Sequence, residues 1–385
     1  MRHSAERILT THAGSLARPD ALRELLIAKD EGRPFDGAAL TAHVRGAVAA
    51  AVRQQAAVGL DVVNDGEQSK RNFTTYARER LGGIDERSLA PGERPLAMIY
   101  GRDAAEFPEY FAGRGNLAGR EAVCTGPLTY IGHAAVRADI ANLEAALAGV
   151  RVTEAFLPAV APGTIEHWLR NEHYATDEAY LAAIADAMKP EYDAIVAAGF
   201  LLQIDDPDLA DAWQIHPRMT VAEYRTFAAL RIEALNHALR DIPPERVRFH
   251  ICWGSYHGPH KYDLPLRDLV DLILAVRAQG YSIEASNPRH DHEWRVWEHV
   301  KLPEGKLLIP GVVGHASDFV EHPELVAERL VRYARLVGRE RVIAGTDCGL
   351  GPRVGHPRIA LAKFEALVEG AALATRSLWG RSAPP

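Results

Sequence analysis

Eight short apolar runs, each closing on a polar cluster, recur along the chain with helix-spaced segments between them. They are ILTTHAGS at 8–15, DVVNDGE at 61–67, EAFLPAVAP at 154–162, FLLQIDDP at 200–207, VRFHICWG at 247–254, YSIEAS at 281–286, KLLIPGVVGH at 306–315 and RVIAGTDCG at 341–349. Rich in Val, Ile, Leu and Phe, each reads as a strand buried on both faces, as a parallel sheet requires. The segments 40–58, 178–199, 219–240, 264–279, 322–338 and 357–375 carry apolar residues at helical spacing. Strand alternating with helix over the whole chain implies right-handed βαβ units. Eight such units is the count of an α/β fold of the (β/α)8 TIM-barrel type, one domain over residues 1–385.

One interval breaks the rhythm. Between the second and third runs lie a Gly/Pro-rich polar stretch at 86–118 and the strand-like AVCTGPLTYI at 122–131. We read about 84–150 as an insertion between the second and third strands, with a hairpin or helix of its own over one barrel mouth. A long insertion on a compact barrel is usually functional. The other reading makes 122–131 a barrel strand and displaces one of the eight runs.

Composition narrows the function classes. With 385 residues, 44 Lys+Arg and 51 Asp+Glu, the formal charge is −7. Such a surface does not suit a phosphate backbone, which selects basic stripes. The opening MRHSAERILTTHAGSL has no apolar h-region, and no run nears the ~20 apolar residues of a membrane helix. Three cysteines make no disulfide framework and fit a reducing compartment. The expectation is a cytoplasmic enzyme with small-molecule partners, and a homo-oligomer is compatible with it. The closing GRSAPP reads as a frayed tail.

The polar residues gather at the C-terminal ends of the runs, the face where barrel enzymes place their sites. His250 and Cys252, two apart on a strand, share a face. Glu284 closes the next run and Cys348 the last. One imidazole, two thiolates and a carboxylate suit tetrahedral zinc. Taken singly, each also has a plain reading: a buried Cys is a small hydrophobe, and a strand-end Glu is a paired acid. Two thiolates and a carboxylate leave a zinc site at −1, a poor activator of water. It could exchange its carboxylate for an incoming thiol and keep that thiol ionised. The set therefore points to S-alkylation rather than hydrolysis.

H-x-C, then I-E-A-S, then D-C-G-L, in that order, resembles the cobalamin-independent methionine synthase family, from TTHAGSLARP near the start to TDCGLG near the end. The chain resembles a short member that keeps only the catalytic barrel of the long enzymes. The resemblance implies a Zn²⁺ barrel with His250, Cys252, Glu284 and Cys348 as ligands, and homocysteine as the thiol. It further implies that Gly14 and Ser15 hold the substrate carboxylate, that Glu67 and Asp205 pair with its ammonium, and that His315 is the proton donor. Trp168 corresponds to a tryptophan that stacks on the methyl donor. Where the family carries an Arg-Cys pair at the folate, this chain has Val123-Cys124, so the arginine is missing. Lys70, Arg71 and Arg78 are candidates for an anionic tail, and His12 is a candidate substrate contact.

Two other functions use related parts. Epoxyalkane:coenzyme M transferases of the same superfamily open an epoxide with a zinc-bound thiolate, and a sulfonate thiol would want Lys70, Arg71 or Arg289. A non-catalytic binding barrel, without the metal, is the third reading.

Overall fold

Each of the eight apolar runs contains one strand of a single parallel sheet in the computed structural model, which describes residues 1–89, 101–112, 120–351 and 353–380. The strands among these residues are β1 (Leu9–Thr10), β2 (Val62–Asn64), β3 (Leu81–Ser88), β4 (Arg120–Tyr130), β5 (Glu154–Val160), β6 (Arg170–Asn171), β7 (Leu201–Asp205), β8 (Val247–Ile251), β9 (Gly280–Ile283), β10 (Leu307–Val313) and β11 (Ile343–Thr346). Eight of them pair in the order β1-β11-β10-β9-β8-β7-β5-β2. The two end strands meet where the Asp61 N–H donates to Thr10 O and Thr11 Oγ1 donates to Val62 O, both at 3.1 Å. The sheet is thus a nearly closed TIM barrel.

Side-chain alternation decides what the barrel encloses. On β8, Phe249 and Ile251 join the apolar core shared with the surrounding helices. Arg248 and His250 take the other face. Arg248 is fully buried; it donates to Thr11 Oγ1 (2.8 Å) and His12 O (2.9 Å) and lies over the Phe156 ring at 4.1 Å. Gln203 on β7 reaches Ala13 O at 2.5 Å. These two polar side chains cross the barrel and fix the turn that follows β1.

The helices cover the outside. Helix Pro323–Val337 buries Val326, Leu330, Tyr333 and Val337, the stripe its sequence spacing implies. Helix Val221–Ala238 starts at a capping box of Thr220 and Glu223. The segment 264–279 departs from expectation: it holds a 3-10 turn, Leu266–Asp268, and one short helix, Val270–Leu274. Leu264, Leu266, Leu269, Val270, Ile273 and Val276 are buried, so the periodicity marked a buried face. Leu269, at φ −125° and ψ −18°, interrupts the helical path between the two pieces.

The 122–131 segment is not a barrel strand. It lies in β4, paired antiparallel with β3 and parallel with the short β6, in a separate three-stranded sheet. The first strand of that sheet, β3, begins at Leu81, three residues before the start expected for the insertion. Helix His133–Leu147, within the same interval, packs against helices Gly37–Ala57 and Asp177–Ala197 in the outer ring. Much of the 86–118 stretch and the last five residues of the GRSAPP tail lie outside the described residues. Among the described residues no helix is long and apolar enough to cross a membrane.

Candidate metal centre and its cavity

The C-terminal ends of β8 and β11 bring His250, Cys252 and Cys348 together, with ligand atoms all within 4.8 Å of one another. Cys252 Sγ and Cys348 Sγ lie 3.7 Å apart. Two sulfurs each ~2.3 Å from one tetrahedral zinc would be separated by about 3.8 Å, so the pair is spaced for a shared ion. His250 Nδ1 is 3.2 Å from Ser282 Oγ, while Nε2 is buried without a partner. A buried imidazole nitrogen orphaned beside two sulfurs fits a metal ligand.

Electrostatics within the trio are strongly coupled. The hydrogen bond from Cys252 and the nearby His250 imidazole hold the Cys348 thiol well below its ordinary range, against the effect of burial. Cys252, which gives that hydrogen bond, is pushed well above it, and burial adds to the effect. One proton is thus shared over a site already prepared to hold thiolate.

Glu284 stands apart from the trio. It belongs to a second buried group with His315 and Asp347. Its carboxylate accepts from the Trp253 N–H at 2.8 Å and from Asn287 Nδ2. Asp347 accepts from the Ala285 N–H (2.7 Å), the Ser286 N–H (2.9 Å) and Ser286 Oγ (2.5 Å). Burial, reinforced by Glu284, raises Asp347 to about 7. His315 is buried with both ring nitrogens unpartnered, and its charge helps to lower Cys348.

Above the trio opens a cavity of about 290 Å³. Ser15, Glu67, Trp168, Asp205, His250, Cys252 and Cys348 all line it; His315, Glu284 and His12 do not. Glu67 and Gly66 both hold positive φ, 55° and 67°. A glutamate in the left-handed region at a cavity wall is backbone strain at a candidate site. Gly14, at φ 137°, lets Glu67 approach: a Cβ there would meet Glu67 Oε1 at 2.8 Å. Burial raises Glu67 and brings Asp205 to about 7. Trp168, at the end of helix Pro162–Trp168, donates Nε1–H to Asp208 Oδ2 at 3.1 Å.

The remaining candidates are placed elsewhere. His12 is enclosed between Phe156 and Phe364, 2.8 Å from Gln55 Oε1, and accepts the Gly14 N–H at 3.2 Å. It shapes the turn rather than facing the cavity. Lys70 is buried, bound to Pro158 O at 2.7 Å and 4.1 Å from the Tyr76 ring centroid. Arg71 reaches the cavity but is paired with Asp30, as Arg78 is at 3.8 Å. Val123 and Cys124 are buried in the inserted sheet and Arg289 binds Lys261 O at 2.5 Å; none lines the cavity.

The structure adds residues that the sequence reading passed over: Arg18, Asp208, Asp211, Ser255 and Tyr256 on the cavity wall. Asp208 and Asp211 were visible in the acidic run DDPDLAD, of which only Asp205 was singled out. Arg248 and Gln203 lie in the runs VRFHICWG and FLLQIDDP but were not singled out. Their role is to reach across the barrel to the β1 turn.

Residues 111–372 match the family described as the catalytic domain of cobalamin-independent synthase. The chain is 24% identical to a methionine synthase of Thermococcus kodakarensis, over 96% of this chain and 94% of that one. It is 26% identical to one of Sulfolobus acidocaldarius, over 96% and 93%. A B12-independent methionine synthase from Shewanella sp. W3-18-1, solved with selenomethionine, superposes with a TM-score of 0.74 at 21% identity, covering 97% of this chain and 100% of that one. That structural likeness concerns the fold.

Proposed function

The chain belongs to the cobalamin-independent methionine synthase family, and on that premise we propose that it is a methyltransferase that methylates the sulfur of homocysteine at a zinc ion held by His250, Cys252 and Cys348, with Glu284 as an exchangeable fourth ligand. The observation that carries the zinc assignment is the pair of sulfurs at 3.7 Å beside the orphaned His250 nitrogen, at the floor of a cavity. A zinc ion there supplies Lewis acidity that keeps a substrate thiol ionised at neutral pH. Glu284 has hydrogen-bond partners of its own in Trp253 and Asn287, a resting place off the metal when the thiol enters.

The rest of the wall fits an amino acid. The Gly14-Ser15 turn, with Arg18 beside it, receives the carboxylate. Glu67 and Asp205 face the ammonium, whose arrival stabilises their ionised forms against burial. His315 acts on the charge of Cys348 from behind instead of standing on the wall. Of the three cations named for a sulfonate-bearing thiol, Lys70 and Arg289 do not line the cavity and Arg71 is paired with Asp30. The three free cysteines, Cys124, Cys252 and Cys348, suit the reducing cytoplasm where we place the protein.

Zinc-edge X-ray absorption with and without homocysteine tests the assignment. We expect the sulfur neighbours to rise from about two to about three. Stoichiometric zinc with no rise would refute homocysteine as the thiol.

A further inference from the structure

The cavity wall is divided by charge. Its Arg18 and Arg71 follow β1 and β2, and Arg353 follows β11. The opposite wall, built after β5, β7 and β8, carries Trp168, Asp208, Asp211 and Tyr256, and among its described lining residues there is no lysine or arginine. Asp211 is 5% exposed, and its Oδ1 is buried with no hydrogen-bond partner. The neighbours that act on it electrostatically are Asp208, Asp263, Glu284 and Asp103, all acidic. Gly254, at φ 85°, keeps the space before this carboxylate open, since a Cβ there would lie 3.0 Å from Asp211 Oδ2. A buried carboxyl group with one oxygen unpartnered, lining a cavity together with two aromatic side chains, is a group that an entering cation would ionise and pair with.

Two further observations restrict the ligand. The cavity, about 290 Å³, lies at the lower edge of the ~300–1,000 Å³ typical of small-molecule sites, and the amino-acid thiol occupies part of it. His315, the expected proton donor, does not line it. A donor whose leaving group departs neutral needs no proton from the wall.

We propose that the wall formed by Trp168, Asp208, Asp211 and Tyr256 binds a compact methyl donor whose transferable methyl sits on a positively charged sulfur or nitrogen, a sulfonium or a quaternary ammonium. The inference rests on the methyltransferase reading above and names the donor class for it. In the transfer, a lone pair of the homocysteine thiolate forms the new S–CH3 bond as the methyl–onium bond breaks. The bonding pair returns to the departing sulfur or nitrogen, which leaves as a neutral thioether or tertiary amine. No oxidant takes part and no proton is transferred. The positive charge of the donor and the negative charge of the thiolate are both consumed, so a desolvated cavity favours the transition state over the separated ions.

The test uses the zinc-loaded full chain with homocysteine present. Binding of trimethylsulfonium and tetramethylammonium is measured by calorimetry against the neutral dimethyl sulfide, and methyl transfer from trimethylsulfonium is followed by product formation. We expect both cations to bind at least tenfold tighter than the neutral compound. Asp211→Asn and Trp168→Leu should each weaken the cations about tenfold or more while leaving dimethyl sulfide unchanged. Cations that bind no better than dimethyl sulfide, or variants that leave the preference intact, would overturn the proposal. So would efficient transfer from 5-methyltetrahydrofolate with none from any onium compound. Sulfur counting at the zinc edge in the same samples separates the two readings: a count that rises with homocysteine while the cations fail removes the donor class alone, and a count that does not rise removes the thiol site beneath it.

Discussion

At the scale of single residues, two positions set what this cavity can do. Cys348 lies on the turn after β11 and shares the proposed metal site with His250 and Cys252 of another strand end. The core of the barrel is apolar and continuous without it. Cys348→Ser is therefore expected to lose stoichiometric zinc and all measurable methyl transfer with the far-UV spectrum intact; metal analysis and circular dichroism check this, and a variant that still holds one zinc would remove Cys348 from the ligand set. Gly14 bears on the other end of the proposed substrate site, through Glu67. Its φ of 137° and the 2.8 Å that a Cβ would leave to Glu67 Oε1 make alanine displace the glutamate. Gly14→Ala should raise the KM for homocysteine about tenfold, roughly 1.4 kcal/mol, with a smaller change in kcat. An unchanged KM would show that Glu67 does not touch the substrate. Cys252, Cys348, Glu67 and Trp168, which the structure places on the cavity wall, were legible because they match the family's motifs in order, not because any one of them is distinctive alone. Asp211 was not legible, because an acid in an acidic run signals nothing until its burial and missing partner are seen.

The elements were legible in proportion to how much of their pattern is local. All eight barrel strands could be placed because strands buried on both faces write an unbroken apolar run. The helix expected over 264–279 shrank to two short turns, since periodicity reports which residues are buried and not how the backbone carries them there. Helix Gly101–Glu106 had no signal: GRDAAE is short, polar and set in a Gly/Pro-rich stretch. Yet it joins two walls of the site. The Arg102 guanidinium stacks 3.6 Å from the Trp213 ring centroid and donates to the carbonyls of Trp213 (2.9 Å), His216 (2.7 Å) and Met219 (3.2 Å), all in the loop after β7. Asp103, wholly buried, accepts from the Tyr262 N–H (3.2 Å) and from the Tyr256 hydroxyl (3.4 Å) in the loop after β8. Asp103→Ala removes both hydrogen bonds, at a cost of about 1–3 kcal/mol. It is expected to lower Tm by several degrees and to raise the KM of the methyl donor through Tyr256 while zinc content stays at one. If the donor KM holds steady as Tm falls, the helix serves stability only.

Across the whole molecule, the formal charge of −7 overstates what the folded chain carries near neutral pH. Burial brings Asp205, Asp206, Asp208 and Asp347 to about 7, and Asp65 to about 6. His290 moves the same balance from the other side. It is buried between Asp263 Oδ2 (3.0 Å) and Glu293 Oε2 (2.8 Å), with its ring stacked 4.0 Å from that of Trp253, the neighbour of Cys252. Burial alone would strip its proton, but the hydrogen bonds to Asp263 and Glu293 outweigh it and raise its pKa to about 10. In the unfolded chain the same imidazole titrates at about 6.5. Below that value both states hold the proton, and the stabilisation is fully present. Between about 6.5 and 10 only the folded state holds it, so stability falls with rising pH at up to about 1.4 kcal/mol per unit, and the contribution is gone above the folded value. The acids near 7 act with the same sign over the lower part of this window, because the folded state binds protons that the unfolded chain has released. Urea midpoints of the metal-free protein should therefore decline from pH 6.5 to 9.5. In His290→Asn the decline above pH 7.5 should be markedly shallower than in the parent protein, because the imidazole's share is gone. Parallel curves for the two proteins would mean that His290 is neutral in the fold.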